Sequence, residues 1–156
     1  FQDTGQRKMK ISTKGRYALR FMIDLVQHGG DSYTSLKDVI ARQDISPKYL
    51  EQIATALAKA GLIQSVRGPQ GGYRLSRAPE EYTIGDILRP IEGDFACVSC
   101  LENTPNLCPR YENCTVVHFW EGLHKVILDY LNSTTLKELA ERHQTELCTD
   151  AYDFVI

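Results

Sequence analysis

Apolar residues first recur at helical spacing in Tyr17, Ala18, Phe21, Met22, Leu25 and Val26, a face that Ser12 or Thr13 can cap and Gly29-Gly30 stops. A shorter helix follows from Thr34 or Ser35, with Leu36, Val39 and Ile40 turned inward. Arg42-Gln43-Asp44-Ile45 predicts a tight connection to a third helix. There Ser46 is a favoured N-cap, Pro47 suits the first helical position because its missing N–H is not needed, and Gly61 supplies a left-handed end. Leu50, Ile53, Ala54 and Leu57 then face a core, which leaves Lys48, Glu51, Gln52 and Thr55 pointing outward.

Two short strands are predicted next, Leu62 to Val66 and Tyr73 to Leu75, around Arg67-Gly68-Pro69-Gln70-Gly71-Gly72. The glycines and the proline let this backbone turn sharply and lie close to another surface. Helix, short connection, helix and hairpin make a winged helix-turn-helix. Thr83 with Asp86 three residues on predicts a capping box, and Ile84, Ile87, Leu88 and Ile91 a fourth amphipathic helix. Periodicity disappears from Glu92 to Cys114 and returns from about Thr115 to Asn132. There Val116, Trp120, Leu123, Ile127, Tyr130 and Leu131 form an apolar stripe. Such a stripe beyond a small domain calls for a partner surface, and its own copy in a two-fold dimer is the expected one. Thr135 with Glu138 opens a last short helix, and Gln144 to Ile156 reads as an acidic tail.

The expected fold class is therefore mainly α with a small β-hairpin: a winged helix-turn-helix domain plus a long dimerisation helix. The expected division is 9–80 for the DNA-binding domain, 81–143 for the sensor loop and dimerisation helices with a cysteine loop at 92–114, and 144–156 for the tail. Residues 1–8, polar and patternless before Met9, read as a cloning remnant in which Phe1-Gln2 resembles a protease-site scar.

Charge sharpens this division. The net charge is only −2, but Met9 to Arg77 carries 11 Lys/Arg against 5 Asp/Glu, and Ala78 to the end 5 against 14. A basic head on an acidic body suits a protein whose first half meets nucleic acid. Lys10, Lys14 and Arg16 gather at the start of the first helix, where the dipole also favours a phosphate. Lys48, Glu51 and Gln52 lie on the first part of the helix that such proteins insert in the major groove. Gln52 can bond adenine bidentately, Glu51 can accept from cytosine, and Lys48 can reach guanine or a phosphate. Tyr49 either donates to a phosphate or packs. Arg67, beside Gly68 and ahead of Gly71 and Gly72, is placed to enter a narrow minor groove. No run approaches the roughly 20 apolar residues of a membrane span, so the expected location is the cytoplasm. The chain lacks a phosphate-binding glycine loop after a strand, a nucleophile elbow and paired carboxylates near a histidine, which argues against an enzyme.

Four of the five cysteines fall on one loop, as Cys97-x2-Cys100-x7-Cys108-x5-Cys114, with Pro105 and Pro109 among them. Thiolates bind soft metals, and disulfides are disfavoured in a reducing cytosol. An iron–sulfur cluster, a structural zinc and a reversible thiol switch all remain open, although zinc usually shows two close cysteine pairs and only Cys97 and Cys100 are so spaced.

The stretches MKISTKGRYA (Met9 to Ala18), SPKYLEQ (Ser46 to Gln52) and VRGPQGGY (Val66 to Tyr73) resemble the regulator family that includes IscR, NsrR and CymR. The likeness runs from Met9 to about Ala140. It implies a homodimeric winged-helix repressor or activator of double-stranded DNA sites, in which the residue matching Glu51 helps choose between site classes. Several members hold an iron–sulfur cluster through three cysteines after the fourth helix, which implies Cys100, Cys108 and Cys114 as ligands and [2Fe–2S] ahead of [4Fe–4S]. Cys97 departs from that pattern, as a fourth ligand or a spare thiol. The histidine that completes the site in relatives would fall at Val117. His118 is one position further on, about 100° around a helix, and reads as a core or dimer-face residue. The end of the chain, with Cys148 as an ordinary thiol and Phe154-Val155-Ile156 as an apolar terminus, resembles that of family members which work with a cysteine synthase. Docking of such an enzyme through Ile156 is the alternative partnership it implies, alongside a cysteine-metabolism repressor or a cluster-free thiol sensor.

Overall fold

In a computed structural model, residues 10–142 are described; Cys148 and the terminal Phe154 to Ile156 lie outside them. The head is built from α1 (Thr13–His28), α2 (Leu36–Gln43), α3 (Pro47–Lys59) and an antiparallel hairpin of β1 (Ile63–Val66) and β2 (Gly72–Leu75). α4 (Ile84–Glu92), the long α5 (Val117–Ser133) and a last helix α6 at 136–142 follow. Mainly helical structure with one hairpin is as expected, and element ends fall within two residues of those read from the pattern.

Local chemistry accounts for the helix starts. Ser12, Ser35, Ser46 and Thr83 each sit in extended backbone, and each side-chain oxygen accepts from an N–H in the first turn of α1, α2, α3 and α4 respectively. At α4 the box is reciprocal, because Asp86 Oδ2 accepts from the Thr83 N–H at 3.1 Å while Thr83 Oγ1 accepts from the Asp86 N–H at 3.1 Å. Gly61, just beyond α3, has φ +73°, the left-handed conformation that turns the chain into β1.

One core joins α1, α2, α3, the hairpin and α4: Phe21, Met22, Val39, Leu50, Ile53, Leu57 and Ile87 have no exposed surface. Tyr82 ties the hairpin to α4. Wholly buried, its hydroxyl accepts from the Ser76 and Arg77 N–H groups and donates to the Leu62 carbonyl at 2.7 Å. Gly72 is pressed against the segment before α2, where an added Cβ would stand 2.3 Å from the Thr34 carbonyl oxygen, so only glycine fits.

Asp24, completely buried on α1, is a charge that the apolar pattern conceals. Arg42 grips it bidentately, with Nε and Nη2 donating at 3.0 and 2.6 Å, and Gln43 Nε2 donates at 3.0 Å. Burial alone pushes this carboxyl up. The hydrogen bonds of Arg42 and Gln43, with the charges of Arg42 and His28, outweigh it and hold Asp24 below the ordinary carboxylate range. The chain leaves α2 through Asp44, which is left-handed at φ 51°, so this bonded cluster fixes the turn that aims α3.

α5 departs from the single stripe expected of it. Ile127, Leu128 and Leu131 pack with Ile84, Leu88 and Phe95 on its own domain. A second row, Val116, Phe119, Leu123, Val126 and Tyr130, faces outward with 39% to 67% exposure. The inward half of the expected stripe serves the intramolecular core, and the outward row adds Phe119 and Val126, which the stripe omitted.

Candidate nucleic-acid interface and cysteine loop

The third helix buries Leu50, Ile53, Ala54 and Leu57 and leaves Lys48, Glu51 and Gln52 exposed in a row on its first two turns. The Ser46 cap and Pro47 start the helix, so these three side chains stand where a groove-entering helix presents its readers. Tyr49 is half-buried and meets the Tyr17 ring edge-on with centroids 5.8 Å apart. Arg20 reinforces that contact, lying over the Tyr17 ring and donating to the Gln43 side chain and carbonyl.

Between the strands, Arg67 is exposed at the tip of the wing, and Gly68 takes φ +119°, closed to other residues. Gly71 donates to the Gly68 carbonyl at 3.0 Å, and a Cβ there would fall 2.2 Å from the Val66 carbonyl oxygen. These two glycines shape the loop that projects Arg67, whereas Gly72 is buried against the head.

Lys10 and Arg16 are exposed and Lys14 half-buried around the first turn of α1. Arg16 bonds Thr13 Oγ1 at 3.0 Å. That helix end already holds a carboxylate. Glu92, the last residue of α4, accepts from the Ser12 N–H at 3.0 Å and from the Ser12 hydroxyl at 2.6 Å. Sequence reading missed this contact, since the partners lie 80 positions apart and nothing local marks it.

The loop after Gly93 has no regular structure beyond two single 3-10 turns, Ser99–Leu101 and Tyr111–Asn113. Cys97, Cys100, Cys108 and Cys114 are all free thiols in half-buried positions. Cys97 Sγ lies 3.6 Å from the Trp120 carbonyl and donates to it. Asn106 braces the middle of the loop, donating to the Cys100 carbonyl and accepting from the Cys108 N–H at 2.8 Å. Tyr111 donates to Glu121 on α5, and His118 meets the same carboxylate at 3.1 Å. Those bonds, Tyr111 first, hold Glu121 below the ordinary carboxylate range. His118 is 89% exposed, which removes the core reading of it.

The donor set matches an iron–sulfur cluster or another soft centre in chemistry: four reduced thiols within one short loop. Their arrangement does not yet assemble one, because among the described residues no three His, Cys, Asp or Glu side chains stand close enough together to hold a metal ion. Bringing three sulfurs to one point requires the loop to move.

Known proteins place these features in a family context. A family model described as Rrf2, iron-dependent transcriptional regulator, matches residues 11–142. The HTH-type transcriptional regulator CymR of Bacillus subtilis (strain 168) is 40% identical over 148 residues, 95% of this chain and all of that one. The HTH-type transcriptional regulator IscR of Vibrio campbellii is 36% identical over 145 residues, 93% of this chain and 85% of that one. Among solved structures, CymR (YrzC), the global cysteine regulator of B. subtilis, superposes with a TM-score of 0.70 at 39% identity over 85% of this chain and 97% of that one. T. potens IscR superposes with a TM-score of 0.65 at 39% identity, over 86% and 88% of the two chains.

Proposed function

The chain belongs to the Rrf2 family of transcriptional regulators, and from that premise we propose a cytoplasmic, homodimeric, sequence-specific repressor or activator whose DNA affinity follows the state of its cysteine loop. The observation that carries the reading is the outward row of Lys48, Glu51 and Gln52 on a helix whose opposite face is wholly buried. A helix so anchored presents donors and acceptors to base edges with little freedom to reorient. Arg67 on the wing, and Lys10, Lys14 and Arg16 at the start of α1, supply phosphate and minor-groove contacts on either side.

Two-fold pairing is supported by α5. The spacing of its exposed residues, three then four, is that of a coiled-coil seam, and a row of this kind is buried by its own copy. The dimer sets the distance between two α3 helices, which operator half-sites about 34–36 Å apart demand.

Sensing is assigned to Cys100, Cys108 and Cys114, with Cys97 as fourth ligand or spare thiol. A bound cluster supplies a redox-active, oxygen-labile centre that thiolates hold. The chain's part is to hold those thiols half-buried on a loop anchored to α5 through Tyr111 and Glu121. Anaerobic purification is expected to give coloured protein, with the colour and iron lost in the Cys100/Cys108/Cys114 triple serine variant. Colourless, iron-free protein after anaerobic reconstitution overturns this assignment.

A second reading, a cysteine-metabolism repressor, is favoured by the 40% identity to CymR over that protein's full length. It predicts operator affinity that ignores iron, and changes when a cysteine synthase engages the segment ending in Ile156.

A further inference from the structure

Glu92 occupies an unusual place. As the last residue of α4 its negative charge sits at that helix's own C-terminus, where the dipole disfavours a carboxylate. The contact that compensates is on another element. Glu92 Oε1 accepts both the N–H and the hydroxyl of Ser12, at 3.0 and 2.6 Å, beside the favourable N-terminus of α1. Ser12 meanwhile caps α1 by accepting from the Gly15 N–H at 3.1 Å, so one hydroxyl joins the cap to the carboxylate. The fit is close: a Cβ at position 15 would stand 2.1 Å from Glu92 Oε1.

Two further facts give this contact direction. Gly93, at φ +80°, begins the cysteine loop immediately after Glu92, so that loop is joined to the chain at the residue that meets Ser12. Lys10, Lys14 and Arg16 lie in sequence at the same first turn of α1 and carry the proposed phosphate contacts. The carboxylate thus links the start of the cysteine loop to the first turn of α1.

We infer that Glu92 is a positioning residue that couples the cysteine loop to the phosphate-facing end of α1 through Ser12. This rests on the proposed reading of the loop as a sensor. A loop at rest holds Glu92 on Ser12 and fixes the first turn of α1. A loop drawn aside withdraws the carboxylate, and the turn loses both its brace and a competing negative charge. Operator affinity changes because the cations on that turn change their presentation.

The test uses the full chain in a Cys148→Ser background, prepared anaerobically, with a duplex selected from a randomised pool by the unaltered protein. Affinity is measured by fluorescence anisotropy before and after iodoacetamide alkylation of the loop thiols, which blocks any ligation and adds bulk. The unaltered sensor is expected to change affinity by roughly 5- to 150-fold, the usual range of coupling between sites. Glu92→Ala and Gly15→Ala, the latter displacing the carboxylate while leaving α1 a good helix former, are expected to reduce that ratio to less than about twofold. Glu92→Gln keeps the shape and an acceptor oxygen but loses the charge, and is expected to restore only part of the response, whereas a purely packing role predicts full restoration. Hydrogen exchange at the Ser12 amide is expected to accelerate on alkylation in the unaltered chain only. An undiminished response in Glu92→Ala and Gly15→Ala overturns the latch and leaves the sensing loop standing. No response in any protein, with operator binding intact, overturns the latch and the sensor reading together.

Discussion

The head and the stretch from Gly93 to Ser133 treat apolar residues in opposite ways. In the head, Phe21, Met22, Leu50, Ile53 and Leu57 are closed off from solvent and the one internal carboxylate is fully bonded. From 93 to 133 only Phe95 and Val117 are buried hydrophobics, while Val116, Phe119, Leu123, Val126 and Tyr130 stay exposed and four thiols have no common centre. The contrast separates a region whose apolar side chains are closed off from solvent from one that leaves an apolar row and its thiols open, as the proposed pairing and sensing loop require. Under the proposed function, a closed head lets changes in the other region alter affinity rather than fold.

The largest expected effect breaks the head. Arg42→Met leaves Asp24 buried with its bidentate partner gone and is expected to cost about 3–5 kcal/mol in denaturant unfolding, with loss of all DNA binding. The pH dependence has a definite sign. The folded carboxyl lies below its ordinary value of 3.8, so its contribution is fully present above that value and is lost as pH falls through the lowered one. Arg42→Met is expected to remove that acid-side loss.

Next in size is the open region. Val126→Glu puts a charge in the middle of the exposed row of α5 and is expected to weaken self-association by at least about 2 kcal/mol, roughly thirtyfold, in sedimentation equilibrium. Melting of the head is expected to stay unchanged. An unaltered dimer would move the interface elsewhere.

Smaller effects sharpen the division within the head, between residues that hold it together and residues that only face outward. Gln52→Ala is expected to lose about 1–3 kcal/mol on a selected duplex and little on random DNA. Equal losses on both would reduce Gln52 to a backbone contact. Arg67→Ala is expected to weaken binding and lower the slope of log affinity against log salt by about 1. The smallest change is expected from the Cys100/Cys108/Cys114 triple serine variant, which should leave stability within about 0.5 kcal/mol because none of the three is in the core.

The head was legible in the sequence because its signals are local. Ser46, Pro47 and Gly61 announce α3 within a few residues of where they act, and inward spacing separates Leu50 and Ile53 from Glu51 and Gln52. Asp24 was not legible, since a charge on an apolar face looks the same whether it points to solvent or meets Arg42 from another helix. Glu92 and Ser12 were hidden for the same reason at greater range. On α5 the difficulty was different: apolar residues cover two faces, and spacing alone merged the row that packs on Leu88 with the row that stays open. In the cysteine loop, spacing revealed which residues carry chemistry but held no information on how far apart their sulfurs stand.

The most direct measurement is the stoichiometry of the complex between the full chain and a duplex selected from a randomised pool, by sedimentation equilibrium with footprinting on the same duplex. The expected result is two chains per duplex, protecting two half-sites about 34–36 Å apart related by a dyad. One chain per duplex, or equal binding to selected and unselected sequences, would contradict a two-fold reader built on α3.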